Sequence, residues 1–100
     1  MITEKQFETQ IKDLAKTFGW EYYHTWQSIH SPAGFPDVVM LRLEPAPRLV
    51  FAELKTDNLK TSQPSIYQWI WLELLQQVPM PVECYLWRPD DFDEIVEVLR

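Results

Sequence analysis

The amino-acid sequence predicts an α/β domain in the order helix, three strands, helix, strand, helix. Three observations carry this expectation. A helical apolar periodicity opens the chain, strand-like stretches broken by short turns follow it, and a second helical stretch separates these from a fourth strand and a short acidic helix. One hundred residues suffice for one compact domain spanning 1–100, whose functional groups must converge on one core and its rim.

The first helix is read from "ITEKQFETQIKDLAKTFGW", where Ile2, Phe7, Ile11, Leu14 and Phe18 line one face. Thr3 and Gln6 have the spacing of a capping box, and Gly19 is a natural stop. "WEYYHTW" is aromatic and β-favouring, a strand beginning near Trp20, and "QSIHSPAG" is a loop. "FPDVVMLRL" and "RLVFAELK" are the second and third strands. The turn "EPAP" between them is so short that the two must pair as an antiparallel hairpin.

The polar loop "TDNLKTSQPS" leads to a helix in "SIYQWIWLELLQQ", with Ile66, Ile70 and Leu74 at helical spacing. Ser65 and Gln68 repeat the capping-box pattern, and a start near Ser62 is the alternative. "VPMP" ends this helix and "VECYLW" is the fourth strand. The crossover helix is long enough to set that strand parallel to the third. "PDDFDEIVEVL" closes the chain as a short helix with Asp90 as its cap and acids in its first turn.

Composition narrows the function classes. Cys84 is the single cysteine, so the chain can form no internal disulfide and no cysteine-based metal cluster. No basic start leads into an apolar stretch, and no apolar run approaches the ~18 residues of a membrane span. A soluble, intracellular protein is expected. The hydrophobic fraction of 46% is high for a small domain, which leaves apolar surface for a partner subunit. The net charge of −6 opposes a broad grip on phosphates. Its distribution is uneven, however: Asp90, Asp91, Asp93, Glu94 and Glu97 crowd the C-terminal end. Lys5, Lys12 and Lys16 lie on the first helix, and Lys55 and Lys60 lie near each other.

The residues that carry chemistry sit on the hairpin. Asp37 lies near the start of one strand, Glu53 and Lys55 near the end of its partner, and antiparallel pairing brings these ends together. Glu53 and Lys55 are two apart and share a face. Two carboxylates at a strand end form a hard oxygen site suited to Mg²⁺ or Mn²⁺. A nearby ammonium can orient or help deprotonate an attacking water. That is the chemistry of phosphodiester hydrolysis.

"PD" at Pro36–Asp37 followed by "ELK" at Glu53–Lys55 resembles the PD-(D/E)xK nuclease superfamily. More narrowly, "TEKQF", "GFPDVVML", "FAELK", the helix bearing Gln68 and "YLWRPDDFDEI" resemble a stand-alone VRR-NUC domain, the virus-type replication-repair nuclease, over Thr3 to Leu99. The resemblance implies a restriction-endonuclease-like α-β-β-β-α-β core with a mixed sheet and a short C-terminal helix. It implies Asp37 and Glu53 as metal ligands with the Leu54 backbone carbonyl, Lys55 serving the water, Gln68 beside the metal, and Glu4 as a further candidate ligand. It also implies a homodimer acting on branched or duplex DNA, in the cytoplasm of a bacterial cell or phage-infected host. The low basic content leaves as an alternative a nuclease active only beside a helicase or other replication or repair protein that supplies the DNA grip. Members without extra domains are similar to Holliday-junction resolvases.

His24 and His30 flank the loop before Asp37, and with Ser28 and Ser31 they are candidates to touch DNA. Lys60 and Arg88 are candidate phosphate contacts. Tyr67, Trp69, Trp71 and Trp87 offer rings for base stacking or for core and interface packing. The alternative from another class is a non-catalytic module of the same fold that binds nucleic acid or protein. It has no chemical need for Asp37, Glu53 and Lys55 together.

Overall fold

The computed structural model describes residues 1–26 and 30–100. Its elements are α1 (Glu4–Thr17), β1 (Glu21–His24), β2 (Val38–Arg42), β3 (Arg48–Leu54), α2 (Ile66–Gln76), β4 (Val82–Trp87), a 3₁₀ turn at Pro89–Asp91 and α3 (Phe92–Leu99). The four strands form one mixed sheet in the order β1-β2-β3-β4. β1, β2 and β3 pair antiparallel, and β3 and β4 pair parallel across the α2 crossover. The α/β class, the hairpin, the parallel fourth strand and the C-terminal helix all follow the reading from sequence.

Both capping boxes form. The Thr3 hydroxyl accepts the Gln6 N–H at 3.1 Å while Gln6 Oε1 accepts the Thr3 N–H at 2.8 Å. Ser65 and Gln68 do the same for α2, at 3.2 and 2.8 Å, which fixes the start at Ser65 rather than near Ser62. α3 departs from expectation. Its N-cap is Asp91 instead of Asp90, because Pro89–Asp91 forms a separate 3₁₀ turn in which the Asp91 carboxylate accepts the Arg88 N–H at 2.9 Å. The Asp90 N–H is taken by Asp57 Oδ1 at 3.1 Å. The second strand also starts later than its sequence suggests, at Val38. Pro36 has no N–H for a ladder, and the Asp37 side chain turns back to accept the Leu54 N–H at 2.9 Å.

One sheet face carries Val38, Met40, Val50, Ala52 and Leu54, packed against Phe7, Ile11 and Ala15 of α1 and Ile95 and Leu99 of α3. Strand alternation turns Phe51 and Glu53 to the other face, under α2. There Phe35 stands edge-on to both Phe51 and Trp71, with ring centroids 5.9 and 5.1 Å apart. Trp87 is buried with 3% exposure and stacks on Tyr85, so it is a core residue and not a ring open to bases.

Away from Asp37, a polar lock fastens α3 to the sheet. The guanidinium groups of Arg42 and Arg48 both lie over the Trp20 indole, 4.5 and 5.0 Å from its ring, and the indole N–H donates to the Leu99 carbonyl at 2.9 Å. Arg48 forms a two-pronged ion pair with Glu83, both contacts 2.7 Å, and donates to the Val98 carbonyl at 2.8 Å. That pairing holds the Glu83 carboxyl below its ordinary range. A lysine carries the charge but not the planar fork. Arg48→Lys should therefore cost about 1–2 kcal/mol, read as a lower midpoint in urea unfolding with an unchanged slope. An unchanged midpoint would mean the fork contributes nothing beyond charge.

Candidate active site

In the β2–β3 register Val38 faces Ala52, so one step further along the ladder Asp37 faces Glu53. Cross-strand partners share a sheet face. The two carboxylates therefore meet on the α2 side of the sheet, at the end where β3 leaves it. Opposite-face placement would have separated them.

Glu53 has 0% exposure. Its Oε1 accepts from Gln68 Nε2 at 3.0 Å and lies 3.9 Å from the Lys55 ammonium. Its Oε2 is buried with no hydrogen-bond donor. Burial pushes the Glu53 pKa up to about 9, and the neighbouring Asp37 carboxyl adds to the rise while Lys55 opposes it. Two carboxylates this close need a proton or a cation between them. Burial lifts the Glu4 pKa too, with Asp37 the next cause, which puts the α1 N-terminus within electrostatic reach of the site. Cys84 on the adjacent strand is raised to about 11, by burial and then by Glu53.

Gln68 has two duties that its sequence pattern did not separate. Its Oε1 caps α2 and its Nε2 holds Glu53, so the helix start and the carboxylate are fixed by one side chain. The segment that delivers α2 is itself tied down. Arg88 donates to the carbonyls of Thr56 and Ser62, and Ser62 Oγ accepts the Thr56 N–H at 2.8 Å. Arg88, read from sequence as a phosphate contact, thus spends donors on shaping the loop before α2. Lys60 is exposed on the same loop.

Of the other sequence candidates, His24 is in β1 and places Nε2 3.2 Å from Glu8 Oε2. Ser31 is exposed and lines the cleft described next. Ser28 lies outside the described residues. Tyr67 and Trp69 are exposed on α2, and Trp71 lines the same cleft.

A cleft of about 790 Å³ opens beside Asp37 and Gln68. Tyr23, Trp26 and Trp71 supply its rings, and no Lys or Arg lines it among the described residues. Tyr23, Thr25, Trp26 and Gly34 carry no motif and were missed in the sequence reading. Gly34 alone left a trace, as the glycine three residues before the aspartate. Its φ is +93° and its backbone lies directly against Tyr67 and Gln68.

The residues present fit a divalent cation. Glu53 and the facing Asp37 offer hard oxygen donors, and a divalent cation would take the place of the proton that Glu53 otherwise keeps up to about pH 9. Among the described residues, no three His, Cys, Asp or Glu side chains gather into one ligand group. Glu4 lies within electrostatic reach of Asp37 and Glu53, and a cation held by the two facing carboxylates would complete its shell from main-chain carbonyl and water, as Mg²⁺ readily does. No described helix is long and apolar enough to cross a membrane. Comparison of the chain with protein-family models, curated proteins and solved structures finds no match.

Proposed function

We propose that the protein is a divalent-metal-dependent nuclease of the PD-(D/E)xK type, close in design to a VRR-NUC domain, which hydrolyses DNA phosphodiester bonds. The observation that carries this reading is the buried Glu53 facing Asp37, with one oxygen unpartnered and Lys55 3.9 Å away. A buried carboxylate oxygen left without a donor beside a second carboxylate is costly to the fold. A binding-only module gains nothing from it.

Asp37, Glu53 and the Leu54 carbonyl would hold Mg²⁺ or Mn²⁺. Bound there, the ion supplies Lewis-acid stabilisation of charge on the phosphate and a more acidic water. The chain's own contribution is positional. Asp37 is held by the Leu54 N–H and Glu53 by Gln68, so both carboxylates are oriented before any ligand arrives. Lys55, on the same face with its ammonium 3.9 Å from Glu53, would serve the attacking water. Hydrolysis forms a bond from water oxygen to phosphorus, breaks the bond to the leaving sugar oxygen, and passes a proton from the water to that oxygen. One site serves one strand. The exposed stripe Ile66, Ile70 and Leu74 on α2 supports the pairing of two copies for cutting both strands.

The test is cleavage of fluorescent duplex, flap, four-way junction and single-stranded DNA with Mg²⁺, Mn²⁺ or EDTA. Cutting should require metal, and Lys55→Ala should lower its rate on the order of 10²–10³-fold with an unchanged circular dichroism spectrum. Wild-type rates in Lys55→Ala would remove that residue from the mechanism. Silence on every substrate, with and without a basic partner protein, would favour the binding module.

A further inference from the structure

We propose that the aromatic cleft is a receiving site for the base of an unpaired nucleotide, so that the preferred substrate is a single or splayed strand rather than continuous duplex; the proposal rests on the nuclease reading for the position of the scissile phosphate. The cleft's lining combines two chemistries. One is the Asp37 carboxylate, where a phosphate and its cation belong. The other is apolar and aromatic, with the exposed rings of Tyr23 and Trp26 and the ring of Trp71.

Its charge pattern excludes a backbone track. No described Lys or Arg lines the cleft, and the chain's net charge of −6 gives little general attraction to duplex phosphates. What remains is stacking, which needs a ring and no cation and accepts any base. A paired base keeps its faces inside the duplex, so only an unpaired one can enter.

Trp26 is suited to that task. It has 79% exposure, an unusual position for an indole. His24 meets the ring edge-on with centroids 5.0 Å apart, and Glu8 holds His24 at 3.2 Å. The Thr25 N–H donates to the Asp37 carbonyl at 2.7 Å, which ties this segment to the carboxylate end. His24 acts as a positioning residue for Trp26.

The experiment is fluorescence anisotropy in the Glu53→Gln background, so that nothing is cut. The probes are a labelled oligothymidylate, the same strand carrying abasic sites, and a blunt duplex of equal length. Trp26→Ala should weaken binding of the oligothymidylate about 10-fold or more, Trp26→Phe should restore most of it, and abasic sites should weaken the parent protein but not Trp26→Ala. Equal binding of normal and abasic strands, or a preference for the blunt duplex, overturns the proposal. Cleavage by the active protein separates this from the nuclease reading. Base-dependent binding without metal-dependent cutting would remove the nuclease and keep the cleft, whereas equal cutting of strand and duplex with Trp26→Ala unaffected would remove the cleft and keep the nuclease.

Discussion

Glu53→Gln should make the metal-free protein more stable at pH 8 and abolish its metal-dependent cleavage. Glu53 is fully buried, with its pKa raised from 4.5 to about 9 by burial and by Asp37. Between those values the unfolded chain is ionised while the folded one keeps its proton. The unfolded state then binds fewer protons, so stability falls as pH rises, by about 1.4 kcal/mol per unit for a fully shifted group. The favourable contribution is complete below pH 4.5 and is lost on the way to 9. Glutamine does not titrate, accepts from Gln68 as before, and can donate to the Asp37 carboxylate.

The groups that face this position are Asp37 before β2, Lys55 after β3, Gln68 on α2, Cys84 on β4 and, at longer range, Glu4 on α1. None reverses the sign: Lys55 and the Gln68 N–H favour the ionised form, and burial, the largest cause, exceeds them. Melting curves in EDTA should therefore coincide near pH 5 and diverge toward pH 8, with the variant higher. Saturating Mn²⁺ should raise the wild type and leave the variant unmoved, because binding to the native state adds its own stabilisation. A variant less stable than wild type at pH 8 in EDTA would show that the carboxylate is not a burden on the fold. The site would then lose its main argument for a cation.

Gly34→Ala is expected to be among the most damaging substitutions in the chain. A Cβ there would stand 2.4 Å from the Tyr67 carbonyl carbon, 2.5 Å from its oxygen and 2.7 Å from the Gln68 nitrogen, all backbone atoms that cannot rotate aside. The φ of +93° is itself strained for alanine. Strain and overpacking together should cost roughly 3 kcal/mol or more, a fall in melting temperature on the order of 15 °C for a domain this small. The relief available is a shift of the first turn of α2, which would draw Gln68 from Glu53. Cleavage should drop even where the variant remains folded. Gly19→Ala is the control, for its φ is +80° but nothing lies within 4 Å of the added carbon. It should cost only about 1 kcal/mol. Equal losses at the two glycines would mean that backbone conformation, not close approach, decides both.

The fold was legible in the sequence where local rules and long-range packing ask for the same thing. Phe7 and Ile11 of α1 read as one helical face and became core. The two capping boxes formed as spelled, and the short link between β2 and β3 allowed no pairing but antiparallel. Asp90 was misread as a cap because a 3₁₀ turn before α3 is chosen by contacts to Asp57 and Arg88, which lie outside the local pattern.

The candidate site divides along the same line. Sequence by itself determined Asp37, Glu53 and Lys55, since antiparallel pairing and side-chain alternation bring them to one strand end without further information. Only the tertiary structure decided that Glu53 is buried with an orphaned oxygen, that Gln68 joins it to the start of α2, that Arg88 serves the loop, and that Trp26, Tyr23 and Trp71 enclose a cleft beside Asp37. These depend on where α2 and the chain after β1 settle on the sheet. That placement is fixed by packing between distant segments, at Gly34 against Tyr67 and at Phe35 against Trp71, and no local periodicity records it.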